Sequence, residues 1–184
     1  MITDLYSSAR IVGVDLTPAE LTLLGLLVEK PRHGYELEEV IAARGMRDWT
    51  EIGFSSIYYL LTRLRDRGLI AETGEPARGK ARKVFAPTPD GYQVCAAAAE
   101  EAIATLRPVF PPVLVGLANQ PVVPPARLRA ALDHRAQALA DKIAEIRAAA
   151  DRQAVPPFVR AIFDYSLGQL EAEQQWLTRY RGEL

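Results

Sequence analysis

Ser55, Ser56, Tyr59, Thr62 and Arg63 lie close together, and four cations, Arg78, Lys80, Arg82 and Lys83, follow them. Small hydroxyls bond phosphate oxygens or base edges, and arginine reads guanine or anchors the sugar-phosphate backbone. A cationic loop beside such a surface neutralises phosphates along a groove. The chemistry on offer is recognition of a nucleic-acid duplex, through a surface that suits a DNA major groove. Residues 55–88 hold seven Lys or Arg against three Asp or Glu, while the whole chain is only −1. The positive charge is therefore segregated. The same charges could also be an ordinary solvated face of a helix and loop.

Chemistry of other kinds lacks its residues. The two histidines, His33 and His134, sit in no metal-ligand spacing. Asp133 and His134 are neighbours on a helix and point in different directions. No nucleophile elbow, phosphate loop or dinucleotide fingerprint is present, so neither an enzyme nor a cofactor is expected. A single cysteine, Cys95, excludes a disulfide framework and reads as a small buried hydrophobe. At 184 residues, 49% hydrophobic and 24% charged, the chain can fold as one domain plus a smaller helical one. There is no signal-peptide pattern and no apolar run of the ~20 residues a membrane span needs. The longest, 109–118, is broken by Pro111 and Pro112. A cytoplasmic location and no membrane partner are expected.

The elements that would position the candidate surface can be read in order. Residues 1–16 carry no clear period. Thr17-Pro18-Ala19-Glu20 is a helix start, with a capping threonine, proline at the first helical position and Glu20 closing a capping box. The helix runs to Glu29 and is apolar on most of its surface, which places it at a domain centre. Pro31 ends it. A second helix opens at His33-Gly34, with Leu37, Val40 and Ile41 as its buried face, Glu36, Glu38 and Glu39 outward, and Gly45 as its stop. Trp49 and Ile52 are expected to anchor the link to a third helix. There Ile57, Leu60, Leu61 and Leu64 recur at i, i+3, i+4 and i+7, forming one apolar face that turns the polar residues outward. Gly68 suits a left-handed cap. Leu69 and Ile70 begin an extended run, and Val84-Phe85-Ala86 is the return strand. Helices two and three have the shape of a helix-turn-helix, and the two-stranded hairpin is a wing.

The string His33-Gly34-Tyr35-Glu36-Leu37, the spacing Ser55-x-x-Tyr58-x-x-Leu61-x-x-Leu64, then Gly68-Leu69-Ile70, and a basic wing leading to Val84-Phe85-Ala86-Pro87-Thr88-Pro89-Asp90-Gly91 resemble the PadR family of transcriptional regulators. The resemblance covers roughly residues 18–92. Tyr59 departs from it, standing where the family often has proline, and so does Ala86-Pro87 at the end of the wing. By resemblance, Tyr35 and Tyr58 can place hydroxyls near phosphates; ring packing between helices two and three is the other reading of both.

Thr88-Pro89 starts a fourth, alanine-rich helix that should end near Arg107, before Pro108. Residues 108–125, with six prolines, read as a linker holding a helical piece at 113–118. Two long helices follow. Leu128, Leu132, Leu139, Ile143 and Ile146, with Ala136 between, stripe the first. Val159, Phe163, Leu167, Leu170, Leu177 and Tyr180 stripe the second, and residues 151–157 turn between them. A pair this small is not stable alone. Its stripes must meet helix four, the winged domain of the same chain, or a second copy. The second copy is preferred, because a twofold pair reads two half-sites ~34 Å apart.

The expectation is a mainly α chain. Residues 1–107 would form a winged helix-turn-helix DNA-binding domain with a linking fourth helix, and residues 108–184 an antiparallel helical dimerisation and effector domain. The resemblance places Glu173-Gln174-Gln175-Trp176-Leu177 in the dimerisation domain of the longer members. It implies a homodimeric repressor on an inverted-repeat operator of double-stranded DNA, released by a small phenolic or drug-like ligand bound between the domains. Phe158, Phe163, Tyr165 and Trp176 are candidate ligand contacts, or else core and dimer packing. A winged helix used to bind protein, without DNA, is the alternative.

Overall fold

The computed structural model describes residues 15–50, 52–53, 56–73, 83–151 and 156–184. The chain divides into two compact units, 1–107 and 108–184. The expected N-terminal arm lies almost wholly outside the described residues.

The first unit is built on α1 (Pro18–Glu29). Thr17 caps it. Its hydroxyl accepts from the Glu20 N–H at 3.2 Å, and the Glu20 carboxylate accepts from the Thr17 N–H at 2.8 Å. Leu23, Leu24 and Leu27 have no exposed surface, as a central helix requires. Helix α2 (Gly34–Ala43) buries Leu37 and Ile41 in the shared core, where it packs against the helix that follows it, with Val40 half-buried, and stops at Gly45. Two of its acids are less outward than expected. Glu36 accepts from the His33 N–H at 2.6 Å, and half-buried Glu38 pairs with Arg47 at 2.6 Å. A 3-10 turn, Met46–Asp48, leads on. Ile52 is buried there, but Trp49 is 47% exposed and does not anchor the link.

Helix α3 (Ile57–Asp66) buries Ile57, Leu60, Leu61 and Leu64, the stripe that the sequence spacing specifies. It ends at Gly68, whose φ of 69° is a left-handed conformation that side chains with a Cβ rarely adopt. The sheet follows as β2 (Ile70–Thr73) and β3 (Val84–Pro87), paired antiparallel with Glu72 opposite Phe85. It has one strand more than the expected hairpin. Arg32–His33, here β1, pairs antiparallel with β3, giving the order β1-β3-β2. The extra strand joins the link between α1 and α2 to the wing.

Helix α4 (Pro89–Ala104) is capped by Thr88, whose hydroxyl accepts from the Gly91 N–H at 3.0 Å and donates to the Gly68 carbonyl at 2.8 Å. That docks the first turn of α4 on the corner after α3. The approach is so close that a Cβ on Gly91 would collide with the Leu69 carbonyl oxygen. Cys95 is buried in the same core, and burial pushes its thiol up from the usual value.

In the second unit α5 (Pro112–Ala118) precedes two long helices, α6 (Pro125–Asp151) and α7 (Pro157–Gly182). Helices α6 and α7 are joined along their length by Arg147–Glu171 at 2.7 Å, Arg135–Glu173 and Arg181–Asp133. Leu132, Leu139, Ile143 and Leu177 are the buried apolar side chains among this unit's described residues. The rest of both stripes, including Leu128, Phe163, Leu167 and Leu170, is only half-buried.

Candidate nucleic-acid interface

Because α3 seats one face in the core, its other face is fixed outward. Tyr58 and Tyr59 are 63% and 62% exposed, and Thr62 is exposed as well. With the buried stripe as reference, the helical spacing puts Tyr59, Thr62 and Asp66 at the centre of the open face. Arg63 lies toward one flank, and Tyr58 and Arg65 toward the other.

The hydroxyls on this surface are partly committed. The Ser56 hydroxyl donates to the Gly53 carbonyl at 2.6 Å, and Thr62 donates to the Tyr58 carbonyl at 2.9 Å. Their free lone pairs leave both as acceptors, suited to base amino groups rather than to phosphates. The two phenols are the better donors toward phosphate oxygens. The Tyr58 ring lies over the start of α2, where a Cβ on Gly34 would come within 2.7 Å of it. The His33 and Tyr35 rings stack with centroids 5.4 Å apart, and His33 Nδ1 sits 3.1 Å from the Lys83 carbonyl oxygen. His33 at the end of β1 and Gly34 at the start of α2 thus bring Tyr35, Tyr58 and the base of the wing to one edge.

Every arginine of α3 and its cap has an acidic partner, which the sequence spacing did not reveal. Arg63 Nε lies 3.3 Å from Glu20, and Arg67 Nη1 3.2 Å from the same oxygen. Glu20 is fully buried. Burial alone would raise its pKa, but the bonds from Thr17 and the charges of Arg63 and Arg67 outweigh that and hold it below 4.5. Arg63 also lies over the Tyr59 ring, 5.9 Å from its centroid. On the other flank Arg65 bridges Asp66 at 3.1 Å and Glu72 at 3.3 Å, and its pKa is raised, first by the bond to Asp66. Glu72 also takes Lys83 at 2.8 Å, and that bond is the first of the causes that depress its pKa. Arg65, Glu72 and Glu20 are the residues that the expected site omitted. Glu20 was visible only as a helix cap, because its arginine partners lie far along the chain.

Of the expected contacts, Tyr35, Ser56, Tyr58, Tyr59, Thr62, Arg63 and Lys83 belong to this face or its edge. Ser55, Arg78, Lys80 and Arg82 fall outside the described residues. In the second unit Phe158 and Tyr165 are 66% and 71% exposed, Phe163 is half-buried, and Trp176 stacks on Tyr180 at 5.4 Å. Phe158 and Trp176 stand on one continuous helix, about 27 Å apart along its axis. Among the described residues no group of His, Cys, Asp and Glu is placed to hold a metal ion, and no helix is long and apolar enough to cross a membrane.

Residues 23–97 match the transcriptional regulator PadR-like family. That match lies within the first unit. The whole fold is shared as well. Bacillus subtilis PadR in complex with operator DNA superposes with a TM-score of 0.70 at 16% identity, covering 89% of this chain and 97% of that one. The same protein in complex with p-coumaric acid gives 0.71 at 15% identity, covering 89% and 96%. A PadR-like transcriptional regulator from Bacillus cereus gives 0.67 at 15%, covering 90% and 96%. At such identities the likeness is one of fold. No curated protein matches this chain.

Proposed function

We propose that this PadR-like chain is a homodimeric transcriptional repressor that grips an inverted-repeat operator and is released by a small phenolic ligand. One observation carries the reading. An apolar stripe holds the polar face of α3 outward beside the paired strands β2 and β3, between which the sequence carries Arg78 and Lys80. In this reading Ser55, Ser56, Tyr59, Thr62 and Arg63 enter or rim the major groove. Tyr35 and Tyr58 approach phosphates, and Arg78, Lys80, Arg82 and Lys83 run along the backbone. Arg63 exchanges Glu20 for DNA at a modest cost, because its side chain is already 44% exposed and Arg67 stays on the buried Glu20 carboxylate.

The dimer is supported by the thin interior of the second unit, where Val109, Phe110, Leu114, Val115 and Phe158 are more than half exposed. An apolar surface of this extent favours association. The ligand class comes by analogy with the p-coumaric acid complex of the Bacillus subtilis protein. Phe158, Phe163 and Tyr165, within two turns of α7, are its proposed contacts, with Trp176 too far along the helix to line the same pocket in one chain. A ligand that binds one arrangement of the paired winged domains better than another shifts the dimer toward it, and with it the DNA affinity.

A mobility-shift assay on DNA from just upstream of the protein's own gene, at two salt concentrations and with and without phenolic acids, tests this. Retardation that weakens with salt and with a phenolic acid supports it. Absence of any salt-dependent affinity favours a protein-binding winged helix instead.

A further inference from the structure

Two cations of the proposed interface converge on one carboxylate. Lys83 Nζ, at the base of the wing, and Arg65 Nη1, on the adjoining flank of α3, approach the same Glu72 oxygen at 2.8 and 3.3 Å. Glu72 stands on β2, and Lys83 immediately precedes β3. The carboxylate therefore bridges the recognition helix and the wing where both would meet a phosphate backbone. It is no part of the folding core. Glu72, Arg65 and Lys83 are all solvent-exposed, with 35%, 40% and 59% of their side chains accessible. Ion pairs this exposed are weak. A duplex, with one negative charge per ~1.7 Å of axis, competes strongly for the same cations.

We propose that Glu72 is an affinity-limiting counter-charge. It occupies Arg65 and Lys83 in the free protein and subtracts from the positive field that the wing offers to DNA. The inference rests on the DNA-binding reading. It adds that tightness is capped by design of the sequence at this one position. Binding requires Lys83 and Arg65 to leave Glu72, or to share it with phosphate, so fewer counterions are released than the number of cations suggests. Replacing Glu72 by a neutral residue of the same shape frees Lys83, leaves Arg65 held by Asp66 alone, and removes a repelling charge. Affinity then rises for every duplex sequence alike, since phosphates carry no sequence information.

The test is a fluorescence-anisotropy titration of the full chain against a short mixed-sequence duplex, over a series of salt concentrations. It compares wild type, Glu72→Gln and the double variant Glu72→Gln with Lys83→Met. A thermal melt of each protein confirms folding, and Glu72→Ala is the second neutral replacement. We expect Glu72→Gln to bind roughly three- to tenfold more tightly at low salt. Its log–log salt slope should steepen by roughly 1 to 2, in proportion to the phosphates newly neutralised. The double variant should give back about half of that steepening. Wild-type binding that is unchanged or weakened in both neutral variants overturns the inference and leaves the DNA reading intact. Salt-insensitive or absent binding by wild type overturns the DNA reading and the inference with it.

Discussion

Glu20→Gln is the perturbation whose size can be worked most fully from the structure. The carboxylate is fully buried and takes four donors: the Thr17 N–H and hydroxyl at 2.8 and 2.9 Å, Arg63 at 3.3 Å and Arg67 at 3.2 Å. Glutamine keeps the volume and one acceptor, but its amide turns a donor toward one of those donors. The helix cap weakens by about 1 kcal/mol. Loss of the charge-assisted bonds to two partly exposed arginines adds about 1–2 kcal/mol, the low end for such bonds because both guanidinium groups can turn to water. A total of about 2–3 kcal/mol lowers the melting temperature of a unit of ~100 residues by roughly 10–20 °C. The pH dependence separates this origin from simple misfit. The native carboxyl titrates below 4.5, so its contribution is complete above that value and is lost as the pH falls through the lower, folded-state value. Paired circular-dichroism melts of both proteins from pH 7 down to pH 3 read this directly. The gap between them should be widest near neutrality and shrink on acidification. A gap that stayed constant to pH 3, or one under ~2 °C at pH 7, would refute the buried-anion account.

Other consequences follow from separate parts of the molecule. Gly91→Ala drives a methyl group into the Leu69 carbonyl, and should cost about 2 kcal/mol or more in urea unfolding; an unchanged midpoint would mean that α4 does not dock on that corner. Removing Lys80 and Arg82 together should weaken binding on all duplexes and flatten the salt slope by roughly 2; an unchanged slope would remove the wing from the interface. Tyr59→Ala should weaken operator binding by about 1–3 kcal/mol and change which bases are preferred near it, and unaltered affinity and preference in a binding titration would put the open face of α3 away from the groove. Sedimentation equilibrium should give twice the 20.3 kDa chain mass; a monomer at micromolar concentration would leave the half-exposed stripes of α6 and α7 without their proposed cover.

What was legible in the sequence was what local chemistry decides. The stripe Ile57, Leu60, Leu61, Leu64, the Thr17–Glu20 cap, the turn at Gly68 and the threonine-proline start of α4 are each specified by residues within a turn or two of one another. Strand β1 was not legible, because two residues show no alternation and Arg32–His33 is extended only by pairing with β3. Helix α4 stops at Ala104 rather than near Arg107, since Pro108 forbids a late end but does not set an earlier one. Trp49 misled by its type: a large ring usually seeks the core, yet the short 3-10 turn before it buries Met46 instead. At the candidate interface the exposed face was readable from periodicity. The acids that hold its arginines were not, since Glu20 lies more than forty residues from Arg63 and Glu72 reaches Arg65 only through the fold of the wing. Their effect is that the local excess of positive charge overstates the cations free to meet phosphate.

The central claim, that two copies of this chain hold their α3 faces and wings against one duplex, is tested most directly by selecting bound fragments from random genomic DNA and footprinting the winners. The account predicts enriched fragments with a twofold inverted repeat, its half-sites centred about 34 Å apart or a multiple of it along the axis, protected on both halves at once. Failure of any fragment to be enriched, or enrichment of a single unpaired half-site, would contradict it.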